Sequence, residues 1–146
     1  MRYRTLLATL TALTITACGD SGAGDTPAPP GPPVAGTFQA TSITENGQVR
    51  PLTPDTRVRL TFDGDSLTAE SGCNRLNARA RFDVATLAVS DLSTTDIACP
   101  PEHAELERWL AAFLEAGPSW RYDQTTYDQT TLVLATRTAR IHLTPR

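Results

Sequence analysis

From Thr37 onward apolar side chains recur mostly at every second position, the period of a half-buried β-strand. Thr37 to Ile43 can alternate in this way. Val58, Leu60 and Phe62 then point to one side while Arg57, Arg59, Thr61 and Asp63 point to the other. Asp63-Gly64 is a hairpin-turn signal, after which Leu67 to Glu70 resumes as a strand. Arg79 to Val84, Thr86 to Val89 and a looser run through Ile97 continue the pattern. Near the C-terminus Leu132, Leu134, Ile141 and Leu143 alternate with Val133, His142 and Thr144, which predicts two strands joined around Arg137 to Ala139. The pattern predicts a mainly β, antiparallel domain.

One segment has a different period. Leu106, Trp109, Leu110, Phe113 and Leu114 fall at i, i+3, i+4, i+7 and i+8, which makes one apolar stripe on a helix. Pro100 and Pro101 suit the first turn, Glu102 and Glu105 complement the N-terminal dipole, and Gly117-Pro118 stops the helix. Trp109, at the centre of that stripe, is expected to seal the sheet. A second irregularity follows, because Tyr122-Asp123-Gln124-Thr125-Thr126 is repeated at once as Tyr127-Asp128-Gln129-Thr130-Thr131. Five is odd, so a continuous strand would send the two tyrosines to opposite faces. One copy is therefore expected to lengthen a turn or form a bulge.

The N-terminus lies outside this pattern. Arg2 and Arg4 precede a short apolar run from Leu6 to Ile15, and the small residues Thr16 and Ala17 lead directly into Cys18. The run is shorter than the roughly 20 residues that span a bilayer. It is similar to a bacterial lipoprotein signal, with residues 1–17 as signal peptide and Cys18 as the first mature residue. The resemblance implies a diacylglycerol on the Cys18 sulfur, usually with N-acylation, and hence a palmitate-type membrane anchor on the extracytoplasmic side of the cell membrane. Residues 18–33, crowded with Pro27, Pro29, Pro30, Pro32 and Pro33, cannot bury a core and predict an extended linker. Residues 34–146 then form a single small domain.

Removing the signal takes away Arg2 and Arg4, so the 13 basic against 16 acidic residues become 11 against 16. The acidic balance and the lack of a basic stripe interleaved with aromatics argue against nucleic acid as a partner. With Cys18 carrying lipid, Cys73 and Cys99 remain as an even pair in an oxidising compartment, which predicts a disulfide. Neither has a CxxC partner and no histidine lies at ligand spacing, so no metal site is expected. His103, expected at an exposed first helical turn, and His142, in a strand, lack a third ligand or a nucleophile. The sequence around Ser71 lacks a GxSxG elbow, Asp63-Gly64-Asp65 reads as a turn rather than a cation loop, and no glycine-rich phosphate loop occurs. No cofactor and no catalytic residue is predicted, and the chain is not expected to be an enzyme.

Gly72-Cys73-Asn74-Arg75, followed by Thr95-Asp96-Ile97-Ala98-Cys99-Pro100 and a helix containing Glu107 and Trp109, resembles the META domain (HslJ-like) family. Gly36-Thr37-Phe38-Gln39 matches the family's opening Gly-x-Trp-x with Phe for Trp. Ile97 stands where Met is common, and Ala78 and Ala80 stand where Gly and Tyr are usual. The resemblance implies a small antiparallel β-barrel-like domain with one packed amphipathic α-helix. It implies no reaction, only association with stress-response, virulence or secretion phenotypes. Gly72, Asn74 and Thr95 are then structural motif residues, Gly72 allowing tight backbone approach beside the bridge and Asn74 bonding loop backbone. Two functions follow. One is a lipid-anchored envelope module that binds an envelope protein or a small apolar ligand at the barrel mouth or helix edge. The other is a hydrolase-like envelope enzyme with a site assembled from scattered polar residues.

Overall fold

The computed structural model describes residues 34–124 and 130–146. Among the described residues nine strands and one helix follow in the order β1 (Gly36–Glu45), β2 (Gln48–Arg50), β3 (Arg59–Asp63), β4 (Ser66–Glu70), β5 (Arg75–Phe82), β6 (Leu87–Thr94), α1 (Pro101–Glu115), β7 (Ser119–Gln124), β8 (Thr130–Ala135) and β9 (Ala139–Pro145). All pairings are antiparallel, in the spatial order β6-β5-β4-β3-β1-β9-β8-β7, with β2 paired to β1 alone. The sheet curls until its two ends touch at one corner. There Thr86 bridges Ser119, the Leu87 N–H donates to the Pro118 carbonyl at 2.8 Å, and the Trp120 N–H donates to the Ala85 carbonyl at 3.2 Å. The chain thus has the barrel-like β fold with one helix that the sequence predicts, as a partly open barrel with α1 packed along β6.

The alternation has the expected result: Leu60, Leu67, Leu132, Leu134, Ile141 and Leu143 point inward and are almost wholly excluded from solvent. Their packing fills the interior with side chains, each worth about 1.5 to 3 kcal/mol of burial. The alternation also breaks twice, in the same way. On β1 the buried residues are Phe38, Ala40 and then Ile43, an odd step, and the β1–β9 register shifts between Ala40 and Ser42. The extra residue of a bulge turns Ile43 back to the inside. On β6 the inward set runs Leu87, Val89, Leu92, another odd step; the β5–β6 register shifts there and Asp91 takes the left-handed conformation at φ 54°.

Two elements escaped the sequence reading. Asn46-Gly47 makes a two-residue hairpin turn between β1 and β2, with φ 51° and 78°, and this dipeptide is the signal that could have found β2. Strand β7 is the other, and it holds the start of the tandem repeat. Its first copy begins in β7 and its second ends in β8, with Asp123 opposite Thr131 and Gln124 opposite Thr130; the expected turn or bulge falls on 125–129, outside the described residues. Deleting residues 127–131 would place Thr126 where Thr131 now pairs with Asp123, leaving Gln124-Thr125 as a two-residue loop and the register of Tyr122 with Leu132 unchanged. The deletion variant is expected to melt within roughly 3 °C of the parent, because shortening a loop changes closure entropy only slowly. A drop of tens of degrees would show both copies to be integral.

The helix matches its sequence signals. Pro101 opens it, Glu102 lies in its first turn, and Gly117 at φ 62° closes it by donating its N–H to the Leu114 carbonyl at 3.1 Å. Trp109 differs from expectation. Leu106, Leu110, Phe113 and Leu114 are buried, whereas Trp109 sits half-buried at the flank of the stripe. Its indole stacks on Phe113 at 5.4 Å, its Nε1–H donates to Glu45 Oε1 at 2.8 Å, and the Arg50 guanidinium lies 5.2 Å from the ring centroid. The physical reason is the indole N–H, which a fully apolar position would leave unpaired. Trp109→Ala is therefore expected to cost about 2 kcal/mol rather than the ~3 to 5 kcal/mol of an emptied core site. Leu110→Ala should cost more, and chemical denaturation of the two variants side by side would reverse this ranking if Trp109 were the core residue.

Candidate functional site

The chain between β4 and β5, Ser71 to Asn74, carries the motif and is short, so it must turn tightly at the end of the sheet. Gly72 makes the turn at φ 106°. A Cβ at this position would overlap the Asp55 backbone carbonyl and come 2.9 Å from His103 Nδ1. Gly72 is thus where the β2–β3 loop, the β4–β5 turn and the first turn of α1 meet. His103, expected to be exposed, is instead half-buried against this turn, because only a glycine leaves room for the imidazole.

Cys73 forms the predicted disulfide with Cys99, with Cα atoms 6.0 Å apart across a sequence separation of 26. The buried Asn74 side chain completes the clasp. Its Oδ1 accepts from Thr95 Oγ1 and from the Ile97 N–H, both at 2.9 Å. Its Nδ2 donates to the Ile97 carbonyl and to Cys99 Sγ, both at 3.1 Å. Thr95 Oγ1 in turn accepts the Arg75 N–H at 3.0 Å. Gly72, Asn74 and Thr95 come together around the bridge, where the amide side chain offers both donor and acceptor to a strand-like loop backbone. Thr94 Oγ1 donates to Glu107 Oε1 at 2.9 Å and ties the same loop to α1.

This clasp is one wall of a cleft of about 560 Å³. Pro54, Asp55 and Arg57 of the β2–β3 loop, Arg59 of β3, Glu70 of β4 and Arg75 of β5 line it together with the clasp. Glu70 Oε2 pairs with Arg59 at 3.1 Å and its Oε1 with Arg75 at 2.9 Å. The Arg75 hydrogen bond, reinforced by the charges of Arg75 and Arg59, holds the Glu70 carboxyl below the usual carboxylate range against an opposing effect of burial. A carboxyl lowered in the folded state contributes stability above its unfolded pKa and loses it as pH falls toward the folded value. The melting difference between the parent and Glu70→Gln should accordingly shrink as pH falls from 7 to 3. With both partners about one-third exposed or more the effect is modest, and a difference that grew on acidification would contradict it.

Sequence reasoning singled out the disulfide and Asn74 but not the arginines of the cleft. Arg57 and Arg59, two apart on the outer face of the strand approach, were the available signal; Arg75 joins them only through the turn at Gly72. The sulfur of Cys18 and the linker lie outside the described residues. Among the described residues no helix is long and apolar enough to cross a membrane, and no three His, Cys, Asp or Glu side chains cluster to hold a metal ion.

The sequence profile of the META domain matches residues 33–146. The chain belongs to the META domain family. No curated protein matches it. Among solved structures, it is similar to an NMR structure of a protein from Burkholderia xenovorans at 17% identity and a TM-score of 0.63, over 76% of this chain and 81% of that one. A second NMR structure is similar at 22% identity and a TM-score of 0.51, over 73% of this chain and 87% of that one. At these identities the likeness establishes the META fold alone.

Proposed function

We propose that this META domain protein is a lipid-anchored binding module of the cell envelope, non-catalytic, held on the extracytoplasmic side of the membrane by acyl chains on Cys18. Residues 18–33 act as a linker, and the disulfide-braced cleft serves as the binding surface. The observation that carries this reading is the division of the domain into a packed interior and one clasped polar cleft. The inward side chains of the sheet are buried against each other, whereas the cleft is open and of ligand size. Its occupant is an envelope protein segment or a small ligand, engaged in a stress or envelope-maintenance role. Acyl chains contribute ~0.8 kcal/mol per buried methylene, and more than one chain anchors stably.

Two measurements test it. Cys18→Ala should move the protein from the membrane to the soluble fraction, with loss of the acyl mass on the N-terminal peptide. A photoreactive benzophenone residue at Asp55 in the full chain, expressed in its own cells, should form one specific adduct that the same group at the exposed Val84 does not. A soluble parent protein, or no adduct unique to Asp55, would defeat the reading.

The hydrolase alternative draws support from one observation. Ser71 Oγ, His103 Nδ1 and Glu107 Oε2 are buried, the first two beside the Gly72 turn, and none has a hydrogen-bond partner among the described residues. Since a nucleophile is activated by a base within hydrogen-bond reach, the trio does not form a relay in this state. A fluorophosphonate adduct on Ser71 that Ser71→Ala abolishes would replace the binding reading with the enzymatic one.

A further inference from the structure

We propose that the cleft recognises an oxyanion, a carboxylate or phosphate group on a small ligand, held by Arg57 and Arg59 beside the Cys73–Cys99 bridge. The inference deepens the binding reading above and rests on it.

Its first support is charge placement. The full chain carries a formal charge of −3, yet the cleft gathers Arg57, Arg59 and Arg75 against Asp55 and Glu70, three positive charges to two negative. An acidic protein that concentrates an excess of arginine in one cleft focuses a positive field there. The second support is unused donor capacity. Arg57 is exposed and makes no ion pair among the described residues. Arg59 gives its Nη1 to Glu70, while its buried Nε has no partner among the described residues. A guanidinium presents five donors in a planar fork that suits a carboxylate or phosphate, and one carboxylate on Arg59 uses only part of it.

Glu70 gives the site its third feature. Its carboxylate bridges Arg59 and Arg75 and so already occupies the position an external oxyanion would compete for. The domain thus carries an internal anion that takes Arg59 Nη1 and Arg75, and it leaves Arg57 and the rest of the Arg59 fork for the incoming ligand. Pro54, the exposed Ile97 and the disulfide supply an apolar margin to the same cleft. A ligand with an anionic group attached to an apolar body matches this lining better than a fully polar one.

Arginine Nε–Hε resonances of the full chain in detergent micelles would be followed by NMR during titration with inorganic phosphate and, separately, with sodium acetate, each against sodium chloride at matched ionic strength. The Arg57 and Arg59 signals should move saturably at millimolar anion and remain unmoved by chloride. The stronger of the two arms identifies phosphate or carboxylate chemistry. Arg57→Gln should weaken the response of Arg59 roughly tenfold, as expected for loss of one charge-assisted contact. Arg140→Gln, on β9 away from the cleft, should leave it unchanged. Absence of saturable shifts with both anions, an equal response to chloride, or an unaltered response in Arg57→Gln would overturn the inference. Should the Asp55 adduct of the previous section form equally in Arg57→Gln, the oxyanion inference falls while the binding reading stands. If no adduct forms at all, the binding reading falls with it.

Discussion

Gly72→Ala is expected to be among the most damaging single substitutions in the described domain, lowering stability by about 4 kcal/mol or more. Two costs add at this position. The backbone sits at φ 106°, where L side chains are strained by ~1 to 3 kcal/mol. The new methyl group would also overlap the Asp55 carbonyl, which is backbone and cannot rotate away, and would press on the His103 ring. Overpacking of this kind costs a further ~1 to 3 kcal/mol. Relief requires the β2–β3 loop to withdraw from the β4–β5 turn, so the cleft lining that the loop carries should move with it. For a domain of this size the melting temperature should fall on the order of 15 °C. Circular dichroism melts would decide the matter, and a variant melting within a few degrees of the parent would mean that the turn does not have this geometry. Gly64→Ala is a useful contrast: its φ is also positive, at 59°, but nothing lies within reach of an added Cβ, so only the backbone cost applies.

Removing the disulfide is the second large effect. Cys73 and Cys99 close a loop with a sequence separation of 26, for which chain entropy predicts a loss of ~3.5 kcal/mol when both are replaced by alanine. A small domain holds ~5 to 15 kcal/mol in total, so the double variant should unfold at a clearly lower urea concentration. The loop from Thr95 to Cys99 would then be held by Asn74, minus the contact to Cys99 Sγ, and by the hydrogen bonds between Thr95 and Arg75. Reductant should bring the parent down to the level of the double variant and leave the variant itself unaffected. Parent protein that keeps its midpoint after mass analysis shows both thiols freed would refute this account. The anion response of the cleft offers a separate readout, since the bridge lies in its wall.

These effects converge on one corner of the molecule, where three chain segments distant in sequence are locked together. Four buried polar atoms have no protein partner among the described residues, Arg59 Nε, Ser71 Oγ, His103 Nδ1 and Glu107 Oε2, and Ser71 and His103 adjoin the Gly72 turn. Folded proteins rarely leave such groups unsatisfied, and two of the four beside one turn set it apart from the apolar interior. Elsewhere the core is made of aliphatic side chains and an arc of edge-packed aromatic rings. Phe38 contacts Phe62 and Tyr122, Phe62 contacts Phe82, and Phe82 contacts Trp120, all at centroid distances from 5.0 to 6.4 Å. The polar corner and the packed barrel therefore differ in what lines them, polar atoms in the first and apolar side chains in the second.

What the sequence determined by itself was everything carried by short-range periodicity and by single residues with one physical use. Alternation at Leu132, Leu134, Ile141 and Leu143 placed two strands, because a pleated backbone sends successive side chains to opposite faces. The 3.6-residue stripe and the proline and glycine at its ends placed α1. The cysteine pair was legible from its even count, and the family resemblance pointed to Gly72, Asn74 and Thr95 beside it. Only the tertiary structure decided the rest. The bulges on β1 and β6 depend on which face meets the core, which no local rule states. Trp109 moved to the flank of its helix because Glu45 and Arg50, distant in sequence, offered its polar edge a better place than the interior did. Arg57, Arg59 and Arg75 came to line one cleft only when the Gly72 turn brought β5 back beside β4 and the disulfide drew in the loop after β6. Convergence of that kind is a property of the closed chain, where charges far apart in sequence are set a few ångströms apart by packing that none of them provides.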